Sequence, residues 1–64
     1  MTYEEAEARY LAADARNDEA RLDKAKEAKR IRALFGKEGL RSLARNAHRR
    51  VSTLNMEADV AELA

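Results

Sequence analysis

Apolar residues recur at alternating steps of four and three from Leu40 onward. Leu40, Ala44, Ala47, Val51, Leu54, Ala58 and Ala61 form an unbroken heptad seam, the pattern of a helix that packs along one edge against another helix in coiled-coil fashion. Carried backward through Lys37, Ala33, Arg30, Lys26, Asp23, Glu19 and Arg16, the same register is almost wholly charged. The seam therefore does not continue through Gly36 and Gly39, and the chain is expected to turn there.

Upstream of the glycines the apolar positions fall on two sides of a helix. At about 100° per residue, Ala8, Leu11, Ala15, Leu22 and Ala33 share one side; Tyr3, Ala6, Tyr10, Ala13, Ala28, Ile31 and Phe35 share another, interrupted by Asn17 and Lys24. A helix with two apolar stripes calls for two neighbours. Thr2 with Glu5 three residues on fits a capping box, and Gly36 suits the left-handed conformation that closes many helices. The spacing predicts an all-α fold, an antiparallel two-helix hairpin over about residues 3–35 and 38–62. The first helix would be a rod of about 50 Å. The whole chain, 1–64, would be one helical-hairpin domain, its bundle completed by self-association or on a partner.

Composition agrees with helices and limits the core. There is no proline, β-branched residues are few, and Ala, Glu, Lys, Arg and Leu dominate, all good helix formers apart from their charge. A chain of 64 residues buries only about 60% of its unfolded surface, and domains this small usually need a disulfide, a metal or another chain. With no cysteine and one histidine, association with another chain is what remains, either as a homodimer or with a larger protein.

Charge is the most uneven property. The formal net charge is +1, yet Lys24 to Arg50 carries ten Lys or Arg against Glu27 and Glu38, while both flanks are acidic. Lys37, Arg41, Arg45 and Arg49 recur every four residues, Arg50 stands beside them, and Arg30 extends the basic surface from the first helix. A helical hairpin turning at the glycines would carry this charge at its tip. Such a surface suits an acidic protein face, or phosphates that a row of arginines can follow; it also suits a merely solvated helix face. A membrane surface is disfavoured, because no Trp anchors the segment and hairpin packing claims its apolar side. Tyr3 and Tyr10, one heptad apart, with Leu11 and Leu22, are candidates for an apolar interface, since large aromatics carry binding energy.

No catalytic set is visible. His48 has no cysteine or suitably spaced carboxylates with it, the serines and threonine of the second helix read as surface hydroxyls, and Gly36-Lys37-Glu38-Gly39 lacks the strand and spacing of a phosphate loop. No enzyme activity, cofactor, metal or small-molecule substrate is expected. The acidic start MTYEEAEARY has no signal-peptide pattern, and no apolar run approaches the roughly 20 residues that span a bilayer; a cytoplasmic protein is the expectation. The size, the Met-Thr start and the two-helix layout resemble small plasmid-borne RNA-binding hairpins that dimerise into four-helix bundles, a likeness of layout with no aligned motif. The composition is similar to that of small regulatory or inhibitory proteins encoded by phages and plasmids. Together these features imply a small non-enzymatic helical adaptor or inhibitor that binds a larger protein, with a nucleic-acid-binding hairpin as the alternative.

Overall fold

Thr2 sits in extended conformation and its hydroxyl accepts from the Glu5 backbone N–H at 3.3 Å, opening the first helix with the cap its sequence announces. Glu4 and Glu5 in the first turn complement the positive end of the helix dipole. In this computed structural model, which describes residues 1–16 and 21–63, α1 spans Tyr3–Ala15, α2 spans Arg21–Ala47 and α3 spans Val51–Leu63. Among the described residues there is no strand.

The single helix expected over 3–35 is not what forms. α1 closes at Ala15, with the Arg16 N–H returning to the Ala13 carbonyl at 3.2 Å. Tyr3 and Phe35, which a continuous rod would hold about 48 Å apart, meet edge to face with ring centroids 5.6 Å apart. Asp14 and Lys24 pair at 3.3 Å, so α1 runs antiparallel to the start of α2. The expected passage of helix through residues 17–20, with Asn17, lies outside the described residues.

The turn expected at the glycines is present, as a sharp break within α2. Gly36 has φ 69° and ψ −158°, a region essentially reserved for glycine; space around it is open, so the requirement is purely one of backbone. Gly39 is needed for a different reason. A Cβ there would stand 2.4 Å from the Phe35 Cβ and 3.3 Å from Ile31 Cγ2, so the second arm of α2 folds closely onto the first only because residue 39 has no side chain.

A second correction falls at 48–50, where the expected helix 38–62 is interrupted. His48 takes the left-handed conformation, φ 57°. The Arg49 N–H reaches back to the Ala44 carbonyl at 2.8 Å and the His48 N–H to the Arg45 carbonyl at 3.4 Å, the paired bonds of a Schellman closure with His in the place usually held by glycine. Arg50 then lends its carbonyl to the Thr53 and Leu54 amides and starts α3.

With these breaks the chain packs its own segments together, spanning 26 × 22 × 22 Å. Ala6 and Tyr10 from α1 meet Ala28 and Ile31 from the first arm of α2, Leu40, Leu43 and Ala44 from the second arm, and Leu54 and Ala58 from α3; Tyr3, Phe35 and Ala47 cover this interior. The three helices of one chain thus enclose this interior between them. Of the two stripes, the one through Tyr3, Tyr10 and Ile31 faces the core, and Leu11, Leu22 and Ala33 face solvent. The heptad seam is inward at Leu40, Ala44, Leu54, Ala58 and Ala61, while Val51, first residue after the break, is exposed.

Candidate partner-binding surfaces

The interior edge of the bundle is polar, and it decides which cations stay available. The Tyr10 hydroxyl donates to Glu57 Oε1 at 2.8 Å. Lys24 lies between Glu57 Oε2 at 3.4 Å and Asp14 Oδ1 at 3.3 Å, and Asp14 also receives Arg49 at 2.5 Å. One chain of contacts therefore ties α1, α2, α3 and the turn before α3. Burial, then the hydrogen bond and charge of Glu57, push the Tyr10 phenol well above its ordinary range. Tyr3 donates to Glu7 at 3.1 Å, and burial with that carboxylate pushes its phenol up to about 12.

A second polar cluster fastens α3 along its length. Arg32 donates to Asn55 Oδ1 at 2.7 Å, Asp59 at 2.8 Å and Glu62 at 3.1 Å. The hydrogen bond to Asp59 is the first cause that holds its guanidinium above the usual value.

The expected basic surface divides on these contacts. Lys37, Arg41 and Arg45 project from consecutive turns of α2's second arm, all exposed, and none has an ion pair or side-chain hydrogen bond among the described residues. Arg50 is also exposed and without such a pair. Arg49 is taken up by Asp14, and Arg30 pairs with Glu27 at 3.5 Å. Four of the six cations expected to act together remain uncommitted.

The expected apolar interface divides as well. Tyr10 is fully buried in the chain's own core and presents nothing to a partner; Tyr3 is half-buried against Phe35. Leu11 and Leu22 are exposed. The sequence reading overlooked Met56, Val60 and Leu63, which are 61%, 52% and 90% exposed on α3. Their i, i+4, i+7 spacing was a signal, masked by the stronger seam through Leu54 and Ala58 on the same helix. Leu22 and Ala25 of α2 face Met56 and Val60 across a shallow groove.

Among the described residues, no three His, Cys, Asp or Glu side chains are placed to hold a metal ion. No helix among them is long and apolar enough to cross a membrane. His48 lies exposed in the turn between α2 and α3. Comparison of the chain with protein families, characterised proteins and solved structures found no match in any of the three.

Proposed function

We propose that the chain is a small, non-enzymatic, cytoplasmic binding module, a regulatory adaptor or inhibitor, that docks on an acidic surface of a larger protein. The observation that carries this reading is the row Lys37, Arg41 and Arg45, exposed on successive turns and without an ion pair among the described residues, while Lys24, Arg30, Arg32 and Arg49 each pair with carboxylates of the fold. Uncompensated charge on one helix face raises the rate of encounter with a surface of opposite sign and selects against like-charged ones. Docking through the alanine seam no longer belongs to the reading, because Ala44, Ala58 and Ala61 are interior.

A nucleic acid is the second reading, favoured by the i, i+4, i+8 spacing, which advances about 6 Å per residue pair along the helix axis and suits a line of phosphates. α3 does not serve as a base-reading helix in it, since its outer side carries Asp59 and Glu62 and no Lys or Arg.

The test is reversal of the three free cations together, Lys37→Glu, Arg41→Glu and Arg45→Glu, followed by affinity capture from the native host scored for protein and nucleic acid. Wild type should retain an acidic protein that binds directly when purified, and the reversed chain, with unchanged helicity, should lose it. Retention of nucleic acid, with log affinity falling about 0.7–0.9 per phosphate contact against log salt, would favour the second reading. Equal capture by both chains overturns the role of this face.

A further inference from the structure

Two grooves flank the first arm of α2, and they share Lys26 and Arg30. The first lies between α1 and α2: Arg9 and Arg16 line it from α1, Lys26 and Arg30 from α2, and its carboxylates are Asp23 and Glu27. The second continues past Lys26 and Arg30 to Lys29, over Ala33, Leu34 and Ala61. Both carboxylates are already engaged, Asp23 by Arg16 at 4.0 Å and Glu27 by Arg30 at 3.5 Å. Arg9, Lys26 and Lys29 are exposed and have no ion pair among the described residues. Five cations against two acids leave the joined grooves positive by three charges. None of the five belongs to the row Lys37, Arg41 and Arg45 on the second arm.

Like charges that two packed helices hold side by side repel one another, and an anion laid between them removes that cost. The lining says which anion. Beside its charged residues the groove between α1 and α2 has only Ala12 and Ala13, so it gives a protein partner no pocket for the large apolar and aromatic anchors that carry such interfaces. It offers charge alone. The ligand that suits it bears charge at regular intervals on its own backbone and leaves its other groups in solvent, which describes a chain of phosphodiesters. Helices packed about 8–10 Å apart leave room between them for one strand, and not for a duplex whose major groove alone is about 12 Å wide.

We propose that the α1–α2 groove and its continuation at Lys29 bind single-stranded nucleic acid by its phosphates, without regard to base sequence. Arg9, Lys26 and Lys29 meet the phosphates directly, and Arg16 and Arg30, oriented by Asp23 and Glu27, add to the positive field along the track. No aromatic side chain lines either groove to stack on a base, and no Asn or Gln to read one. Affinity then rests on released counterions and falls by about 0.7 in log affinity per phosphate contact against log salt. Three free cations set a slope of about 2. This site is separate from the row on the second arm of α2 and does not depend on what docks there.

Fluorescence anisotropy of a labelled oligothymidylate, titrated with the full chain from low to moderate salt, tests it. Wild type should bind with the slope of about 2. Arg9→Glu, Lys26→Glu and Lys29→Glu together should keep the helical content and cost at least about tenfold in affinity at low salt, while Lys37→Glu, Arg41→Glu and Arg45→Glu together should cost several-fold less. Should the first set fold poorly, Arg9→Ala with Lys26→Ala removes two contacts and should lower the slope by about 1.4. A poly-glutamate peptide of equal charge, and a duplex of the same length, should both bind more weakly than the strand. Absence of strand binding at low salt, equal binding by the folded groove variants, a larger loss from the second-arm reversal, or a preference for the peptide or the duplex overturns the proposal.

Discussion

The Tyr10 hydroxyl and Glu57 Oε1, 47 residues apart in sequence, lie 2.8 Å apart and join α1 to α3. No other side-chain hydrogen bond among the described residues links those two helices directly. Tyr10→Phe keeps the ring and removes this bond. A hydrogen bond to a charged acceptor contributes about 1.5–3 kcal/mol, and Glu57 retains Lys24. The expected loss is therefore near the lower end, about 1–2 kcal/mol, or several degrees of Tm in a domain of this size. Thermal melting of the two chains measures it, and identical midpoints would show the bond to be replaceable by water.

Alkaline pH should act through the same residue and through Tyr3. Both phenols are raised above the ordinary value of 10.0, Tyr3 to about 12 and Tyr10 further, by burial first and by Glu7 or Glu57 next. Folded chains thus hold phenolic protons that unfolded chains release near pH 10, so stability is whole below that pH and falls as pH rises through 10 and beyond. Lysines titrate in the same range, which makes the control a chain with Tyr3→Phe and Tyr10→Phe. Urea unfolding on either side of pH 10 should show a clearly shallower alkaline decline in that double variant; equal slopes would remove the tyrosines as the cause.

Two glycines three residues apart should fail for different reasons. Gly36→Ala meets no atom but forces a side chain onto a glycine-only conformation, at about 1–3 kcal/mol. Gly39→Ala lies in helix, where alanine is intrinsically better by about 1 kcal/mol, yet its Cβ would press on the Phe35 Cβ, and overpacking of this sort costs about 1–3 kcal/mol. Restoring room with Phe35→Gly, which takes away the Cβ that residue 39 would strike, should rescue Gly39→Ala in relative terms and do nothing for Gly36→Ala. A double-mutant cycle with no coupling between 35 and 39 would contradict the close approach of the two arms.

The heptad seam makes Val51 and Leu54 equivalent, and the fold does not. Leu54 is fully buried and Val51 is 39% exposed. Leu54→Asp places an unpaired carboxylate in the core, a cost of several kcal/mol against a total stability of about 3–10 kcal/mol for this length. It should abolish the cooperative melt. Val51→Asp should keep it, since aspartate in the first turn of α3 also suits the helix dipole. Circular dichroism separates the two, and an equal loss from both would return Val51 to the core.

That contrast shows what the pattern of residues revealed and where it stopped. Helical class followed from composition, the turn from Gly36 and Gly39, and the inward side of α3 from Leu54, Ala58 and Ala61. The ends of α1 and of α2's second arm carried no such mark: Arg16 is no breaker, and His48 occupies a left-handed position without being glycine. Those ends follow from packing, because short segments let Tyr10 and Leu43 share one interior, which a rod cannot provide. Helical spacing put Lys37, Arg41, Arg45 and Arg49 on one face alike and said nothing of which would be paired. The pairing that takes up Arg49 was not legible, since its partner Asp14 is 35 residues away.

His48 offers the last test, because its conformation is the one unfavourable feature of an otherwise well-bonded closure. For an L-residue the left-handed region costs about 1–2 kcal/mol, and the exposed imidazole returns nothing through burial. His48→Gly removes that cost but loosens the unfolded chain, which takes back part of the gain. The net should be a stabilisation of about 0.5–1 kcal/mol, with the Arg49 N–H to Ala44 carbonyl bond kept. His48→Val, β-branched and unable to enter this region at similar cost, should destabilise instead. Urea midpoints that rank glycine above histidine above valine bear out the left-handed turn; a lower midpoint for His48→Gly would mean that the imidazole contributes a contact worth more than the strain it imposes.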